Sequence, residues 1–272
     1  MSNLMHLVVS ALGNSKAVAL YVQYASTLVG RDKACRFGQY LARLLAYLVG
    51  RRLATRGKSP TGMSWLVSLS NVQAALGTTR KVLRTGKFID FGRLFVHALT
   101  ASAQQGASSA YDEVVRTLGA VHKAGMCVFM LADTLGLLHN TMGLVRLRNA
   151  PLVARLGQRA WMTALVAQAV AAAYQLHNLR LRQADLARVR RHVMKSDAFG
   201  ARECAVEEQA VSVQRAAASR LLLQSALDLT IPIKGLGLLE INEGLVALAG
   251  TVTSLMGIQD SLAKAAAAVS AS

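Results

Sequence analysis

Acidic residues are scarce in this chain. Its 272 residues include 14 Asp and Glu against 31 Lys and Arg, a formal net charge of +17. In residues 1–100 only Asp32 and Asp90 oppose 14 cations, so most of the surplus lies there. The 14 acids form no pair suited to general acid–base work, and Glu207-Glu208 reads as a solvated patch. The three cysteines, Cys35, Cys127 and Cys204, are odd in number and far apart, which gives neither a disulfide framework nor metal-ligand spacing. This usage fits a reducing or non-secretory compartment. The six histidines are scattered, and no Walker loop, GxGxxG, HExxH or GxSxG is present. We expect no enzyme, no cofactor and no bound metal. Leu4–Leu12 is apolar but lacks the positive flank and small-residue cleavage site of a signal peptide. Only three prolines occur, Pro60, Pro151 and Pro232, in a chain rich in Ala, Leu, Arg and Gln, which is a helical composition.

Charge of either sign is also low for a soluble domain. Charged residues make up 17% and apolar residues 53%, with mean hydropathy +0.34, against about 25% and 45–50% in ordinary globular chains. A nucleic-acid binder would account for the cations but not the hydropathy, and the basic half has no aromatic interleaving or known module. We therefore expect no nucleic-acid partner. A membrane protein accounts for both features. The fold expected is all-α: a membrane-associated helical bundle with amphipathic helices and one or two transmembrane or deeply embedded helices. We read 1–272 as a single domain with a basic amphipathic region (1–100), a middle helical region (101–150), a candidate transmembrane helix (160–179), a charged linker (180–220) and a C-terminal apolar region (221–261).

Within the basic region, residues 4–29 read as helical with a break near Gly13-Asn14, and Gly30 as a left-handed stop. A second helix is predicted over Asp32–Thr55. Met63–Arg93 then forms an amphipathic segment. Wound at about 100° per residue, it gathers Trp65, Leu69, Val72, Leu76, Val82 and Leu83 on one side. Arg80, Lys81, Arg84 and Lys87 lie in an adjoining arc. A tryptophan-bearing apolar stripe bordered by cations is what an anionic phospholipid surface attracts. The first set is assigned to membrane insertion and the second to lipid headgroups. Gly77 and Gly86 are weak points, costing about 1 kcal/mol each relative to Ala. The competing reading is that the segment packs inside a bundle, because Leu66, Val67 and Ala74 stray from the arc.

Ala101–Ser109 is small and polar, and a loop is predicted. Tyr111–His139 has a long helical pattern, with Lys123 and Asp133 favouring a packed core helix over a lipid-exposed span. Ala160–Leu179 holds 20 residues without a formal charge, about the length a bilayer span needs. Arginines flank it, and Trp161 and Tyr174 are suited to the interfaces. A turn is predicted at Ser196–Gly200 and a break at Pro232. From Gly244 to Gln259 a second uncharged stretch carries Gly244, Ala247, Gly250, Ser254 and Gly257 at three- and four-residue spacing. Such a small-residue face lets helices approach closely, within the chain or between copies.

Gly30-Arg31-Asp32-Lys33, with Arg36, Gln39-Tyr40 and Leu44–Leu48, resembles the N-terminal signature of the peroxin-11 family of peroxisomal membrane-elongation proteins. Arg80-Lys81-Val82-Leu83-Arg84-Thr85-Gly86-Lys87-Phe88 is similar to a second family block, Ala132-Asp133-Thr134-Leu135 to its middle region. Asp228, Ile231-Pro232, Gly235-Leu-Gly237, Asn242-Glu243-Gly244 and Gly250–Gly257 are similar to its C-terminal end. The resemblance runs in order over roughly residues 16–259. It implies a peroxisomal membrane protein, or one of a specialised relative such as the glycosome. It also implies elongation and proliferation of the organelle by shallow insertion of an amphipathic helix, here Met63–Phe91, self-association, and a connection to dynamin-type fission machinery. Some members are linked to metabolite permeability, so a pore for small metabolites is the alternative function.

Overall fold

A computed structural model describes residues 15–57, 59–104, 109–193 and 198–271. Among these residues there are eight α-helices and no strand. They are α1 (Lys16–Ser26), α2 (Leu28–Arg56), α3 (Pro60–Leu83), α4 (Lys87–Gln104), α5 (Ala110–Asn140), α6 (Ala150–Val193), α7 (Ala198–Gly235) and α8 (Glu243–Ala271). The all-α, membrane-associated expectation holds. The predicted break at Gly13-Asn14 lies outside the described residues.

Local chemistry sets the boundaries. Thr27 caps α2 by accepting from the Gly30 N–H at 3.0 Å. Ser59 caps α3 in the same way, accepting from Gly62 at 3.1 Å, with Pro60 in the first helical turn. Gly30 is therefore not a left-handed stop. It lies in the first turn of α2, where a Cβ would run into the Tyr24 carbonyl. The amphipathic segment is not one helix either. It ends at Leu83, passes through Arg84-Thr85-Gly86 with Gly86 at φ +85°, and resumes as α4 at Lys87. Only glycine takes that backbone without strain, so the weak point flagged in the sequence is the actual break. The predicted 101–109 loop is helical through Gln104, and residues 105–108 lie outside the description. At the predicted 196–200 turn, Ala198–Gly200 already belong to α7. Pro232 does not end α7, which continues to Gly235; this close to the C-terminus a missing N–H removes little of the ladder.

The chain divides into two compact units, each drawn from separated stretches. The first lies within Met1–Thr85, Asp133–Leu147 and Leu239–Ser272, the second within Gly86–Ala132 and Arg148–Leu238. In the first, α2 packs on both α3 and α8, and α1 packs on α2 and α8. Opposed pairs fix the directions. Leu53 faces Gly62 and Leu76 faces Gly38, so α3 runs antiparallel to α2. Tyr47, Tyr40 and Lys33 lie over Gly244, Gly250 and Gly257, so α8 also runs antiparallel to α2.

In the second unit α6 and α7 form an antiparallel hairpin. Ser225 donates to Gln168 at 3.2 Å, Arg182 to Glu207 at 2.5 Å and Arg190 to Glu208 at 2.8 Å. The described residues of 180–220 are thus helical and paired rather than a linker: Glu207 and Glu208 sit on α7 opposite Arg182 and Arg190 on α6. The α5 residues of this unit lie against α6: Phe129 stacks on Trp161 with centroids 4.9 Å apart, Tyr111 meets Tyr174, and Gly125 leaves room for the Ala160 carbonyl.

Two helices among the described residues are long and apolar enough to cross a membrane, Ala110–Asn140 and Glu243–Ser270. Ala160–Leu179 is not one of them. Gln168, Gln175, His177 and Asn178 lower its hydropathy, and absence of formal charge is not the same as apolarity. The segment read as a packed core helix, Tyr111–His139, takes its place.

Candidate membrane interface

Two surfaces of the first unit carry large apolar side chains outward. On α8 the inward face is small and hydroxylated: Ala247, Thr253 and Ser254 are wholly buried. Leu245, Leu248, Val252 and Leu255 point outward. That inverts the pattern of a water-soluble helix and fits one whose surroundings are lipid. The small-residue face expected from Gly244, Ala247, Gly250, Ser254 and Gly257 is filled from within the chain. The rings of Tyr47 and Tyr40 and the stem of Lys33 occupy the space that Cβ atoms on the three glycines would need.

The second surface belongs to α3. The side chains assigned to insertion divide between its two faces. Trp65, at 60% exposure, is outward with Val72 and Val82, and Met63 and Val67 join them. Leu69, Leu76 and Leu83 are half-buried, and Leu76 sits in the notch left by Gly38 of α2. The side chains drawn together from the sequence therefore divide into a half-buried set against α2 and an exposed set spread around the rest of the helix.

The cations assigned to headgroups divide too. Arg80 and Arg84 point inward. The Arg80 side chain donates through Nε to Asp32 at 3.2 Å and through Nη1 to Gln39 at 2.7 Å. Arg84 donates through Nη2 to Asp133 at 2.6 Å and lies 3.8 Å from Asp32. The four charged side chains of this clamp are 9–13% exposed. Burial, and next the neighbouring Arg84, push the Arg80 guanidinium down to about 10, with Asp32 working the other way; it stays cationic at neutral pH. Lys81 is half-buried on α3, and Lys87 opens α4 in the second unit.

The clamp assembles the family-motif residues. Asp32 anchors two arginines, Gln39 a third contact, and Arg36 reaches Thr253 of α8 at 3.2 Å while lying over the Tyr40 ring. Tyr40 is buried over Gly250. Arg31 donates to the Ala25 carbonyl at 2.6 Å, and Arg43 pairs with Glu243 at the start of α8. Cys35 sits beside the cluster, where burial first and the Asp32 charge second raise its thiol. Sequence reasoning missed the role of Asp133, which looked like an interruption of an apolar helix. One signal was available: an acid in an apolar run, in a chain so short of acids, demands a buried cation.

A family model for peroxisomal biogenesis factor 11 matches residues 18–262. The chain is 26% identical over 242 residues to a Schizosaccharomyces pombe protein named peroxisomal biogenesis factor 11, covering 86% of this chain and 90% of that one. It is also 26% identical over 245 residues to peroxisomal membrane protein PMP27 of Saccharomyces cerevisiae, covering 90% and 94%. No solved structure matches the chain.

Proposed function

The chain belongs to the peroxisomal biogenesis factor 11 family, and from that premise we propose that it elongates the peroxisomal membrane by laying the outer face of α3 into one leaflet. It is a peroxisomal membrane protein involved in peroxisome biogenesis. The finer role proposed is mechanical and non-catalytic. The observation that carries it is the exposure of Trp65, Val72 and Val82, with Met63 and Val67, on a helix whose other side is held to α2.

The magnitudes redistribute the driving force. Each large apolar side chain moved from water into the acyl boundary contributes roughly 1.5–3 kcal/mol. A cation near an anionic surface contributes about 1 kcal/mol. With Arg80 and Arg84 committed to Asp32 and Asp133, Lys81 is the headgroup cation left on α3, and insertion runs mainly on apolar area. The polar residues among the stripe, Ser64, Ser68, Asn71 and Thr79, are exposed and keep the helix at headgroup depth. Area added to one leaflet favours positive curvature. Self-association gathers many such wedges, and dynamin-type machinery then divides the elongated organelle. Because the glycine face of α8 is occupied by α2, the self-contact uses another surface.

Purified full-length protein added to anionic liposomes tests the reading. Tubes should form, and Trp65→Glu with Val72→Glu should abolish them without loss of helicity. Tubulation undiminished by the double substitution would refute the α3 wedge.

A further inference from the structure

Between α2 and α8 the surface of the first unit carries an open groove of about 290 Å³, lined by Leu44, Tyr47, Arg51, Asn242, Gly244, Leu245 and Leu248. The antiparallel register places Leu44 and Leu248 at one end and Arg51 and Asn242 at the other. Gly244 lets the Tyr47 ring lie close against α8, and that ring forms the floor. From Leu44 to Arg51 the groove follows α2 for about 10 Å at 1.5 Å per residue.

Its chemistry is asymmetric. The walls are apolar and the single charged lining residue is a cation. Arg51 is exposed and enters no ion pair among the described residues; Glu243, the acid closest in sequence to the lining, is taken by Arg43. Arg52 and Arg56 extend the basic end, and no acid occurs between residues 33 and 89. Leu245 and Leu248 also begin the outward stripe that continues through Val252 and Leu255 along a helix able to cross a membrane. The groove therefore opens onto the face that meets acyl chains, with its cation at the end where that helix begins.

A small polar solute would leave the walls unused, and an uncharged hydrocarbon would leave the arginine unused. The volume falls at the lower edge of the about 300–1,000 Å³ usual for ligand sites, enough for one chain segment. The geometry points to a single anionic phospholipid held in this groove, the net negative charge of its headgroup on Arg51 and the first stretch of one acyl chain along Leu44, Tyr47, Leu245 and Leu248. This site is separate from the α3 stripe and does not depend on the wedge.

Full-length protein, purified in detergent and stripped of lipid, is mixed with phosphatidylserine or with phosphatidylcholine of the same chains, and retained lipid is counted by native mass spectrometry. One phosphatidylserine should be retained about fivefold more than phosphatidylcholine, the effect of one cation beside a headgroup that carries one more net negative charge. Arg51→Gln should erase that preference while Arg52→Gln keeps it. Leu248→Trp, which fills the groove from an exposed position, should release both lipids with helicity unchanged. Glycerol phosphate should not displace the lipid. Equal retention of the two lipids, an unchanged preference in Arg51→Gln, displacement by glycerol phosphate, or a second copy of the chain in place of lipid would each overturn the site. Trp65→Glu should leave the lipid count intact, so failure of the wedge and failure of the groove are told apart.

Discussion

Helices α3 and α8 lie against the same neighbour, α2, and run in the same direction, yet they are attached by different physics. Helix α8 is held by close approach. Its glycines admit two tyrosine rings and a lysine stem, and from Leu245 to Leu255 its outward face is a stripe of Leu and Val. Helix α3 is held by half-buried leucines and by two arginines that cross to Asp32, Gln39 and Asp133. Its outward face mixes Trp65, Val72 and Val82 with Ser and Asn. The first attachment needs no water and suits a helix within the bilayer. The second keeps charges out of contact with lipid by pairing them inside the protein, which suits a helix at the headgroup boundary. The two helices thus differ in what their inner faces require as well as in apolarity, α8 alone being apolar enough to cross a membrane.

Removing a charge partner should separate the two most sharply. Asp32→Ala leaves Arg80 and Arg84 facing an empty site, and breaking a buried pair in this way costs about 3–5 kcal/mol. The lower end applies because the side chains keep a tenth of their surface in water. A drop in thermal midpoint for Asp32→Ala, partly reversed in Asp32→Leu with Arg80→Met, is expected; an unchanged midpoint would mean the clamp does not hold α3. For α8 the matching change is Gly250→Val, which drives a side chain into the Tyr40 ring and should cost about 1–3 kcal/mol by overpacking. Tyr40→Ala combined with it should recover part of that loss, and no recovery would place the strain elsewhere.

Smaller effects sharpen the contrast. Raising salt from 50 to 500 mM should weaken liposome binding through α3 only slightly, since exposed charge is screened and apolar area is not. A steep fall would return the weight to the cations. Trp65→Ala should change stability by less than about 0.5 kcal/mol, as for an exposed side chain, while reducing liposome binding. Last, Cys35 should react slowly with a maleimide at neutral pH, its thiol raised by burial and by Asp32. Asp133→Asn should speed the reaction if the clamp loosens as a unit.

Much of this arrangement was legible beforehand. Amphipathic periodicity located the helices, and the three- and four-residue spacing of small side chains located the inner face of α8. Gly86 was marked as weak before it proved to be the break. The division of the 63–93 stripe was not legible. A helical projection records angles but not neighbours, and Leu76 and Trp65 look alike until Gly38 is seen under one of them. The clamp was hidden for a related reason. Asp32 and Arg80 are 48 positions apart, and no local pattern links them. The candidate span at Ala160–Leu179 came from counting formal charges, when three amides and a histidine also weigh against crossing a bilayer.

The α6–α7 hairpin also sets a length. At 1.5 Å per residue the 44 residues of α6 make a rod of about 66 Å, and a whole bilayer with its headgroups is about 40–45 Å thick. Set along the bilayer normal, such a rod would project beyond it. The pairs Arg182–Glu207 and Arg190–Glu208 lie toward one end of the rod, where ion pairs between two paired helices suit water rather than acyl chains.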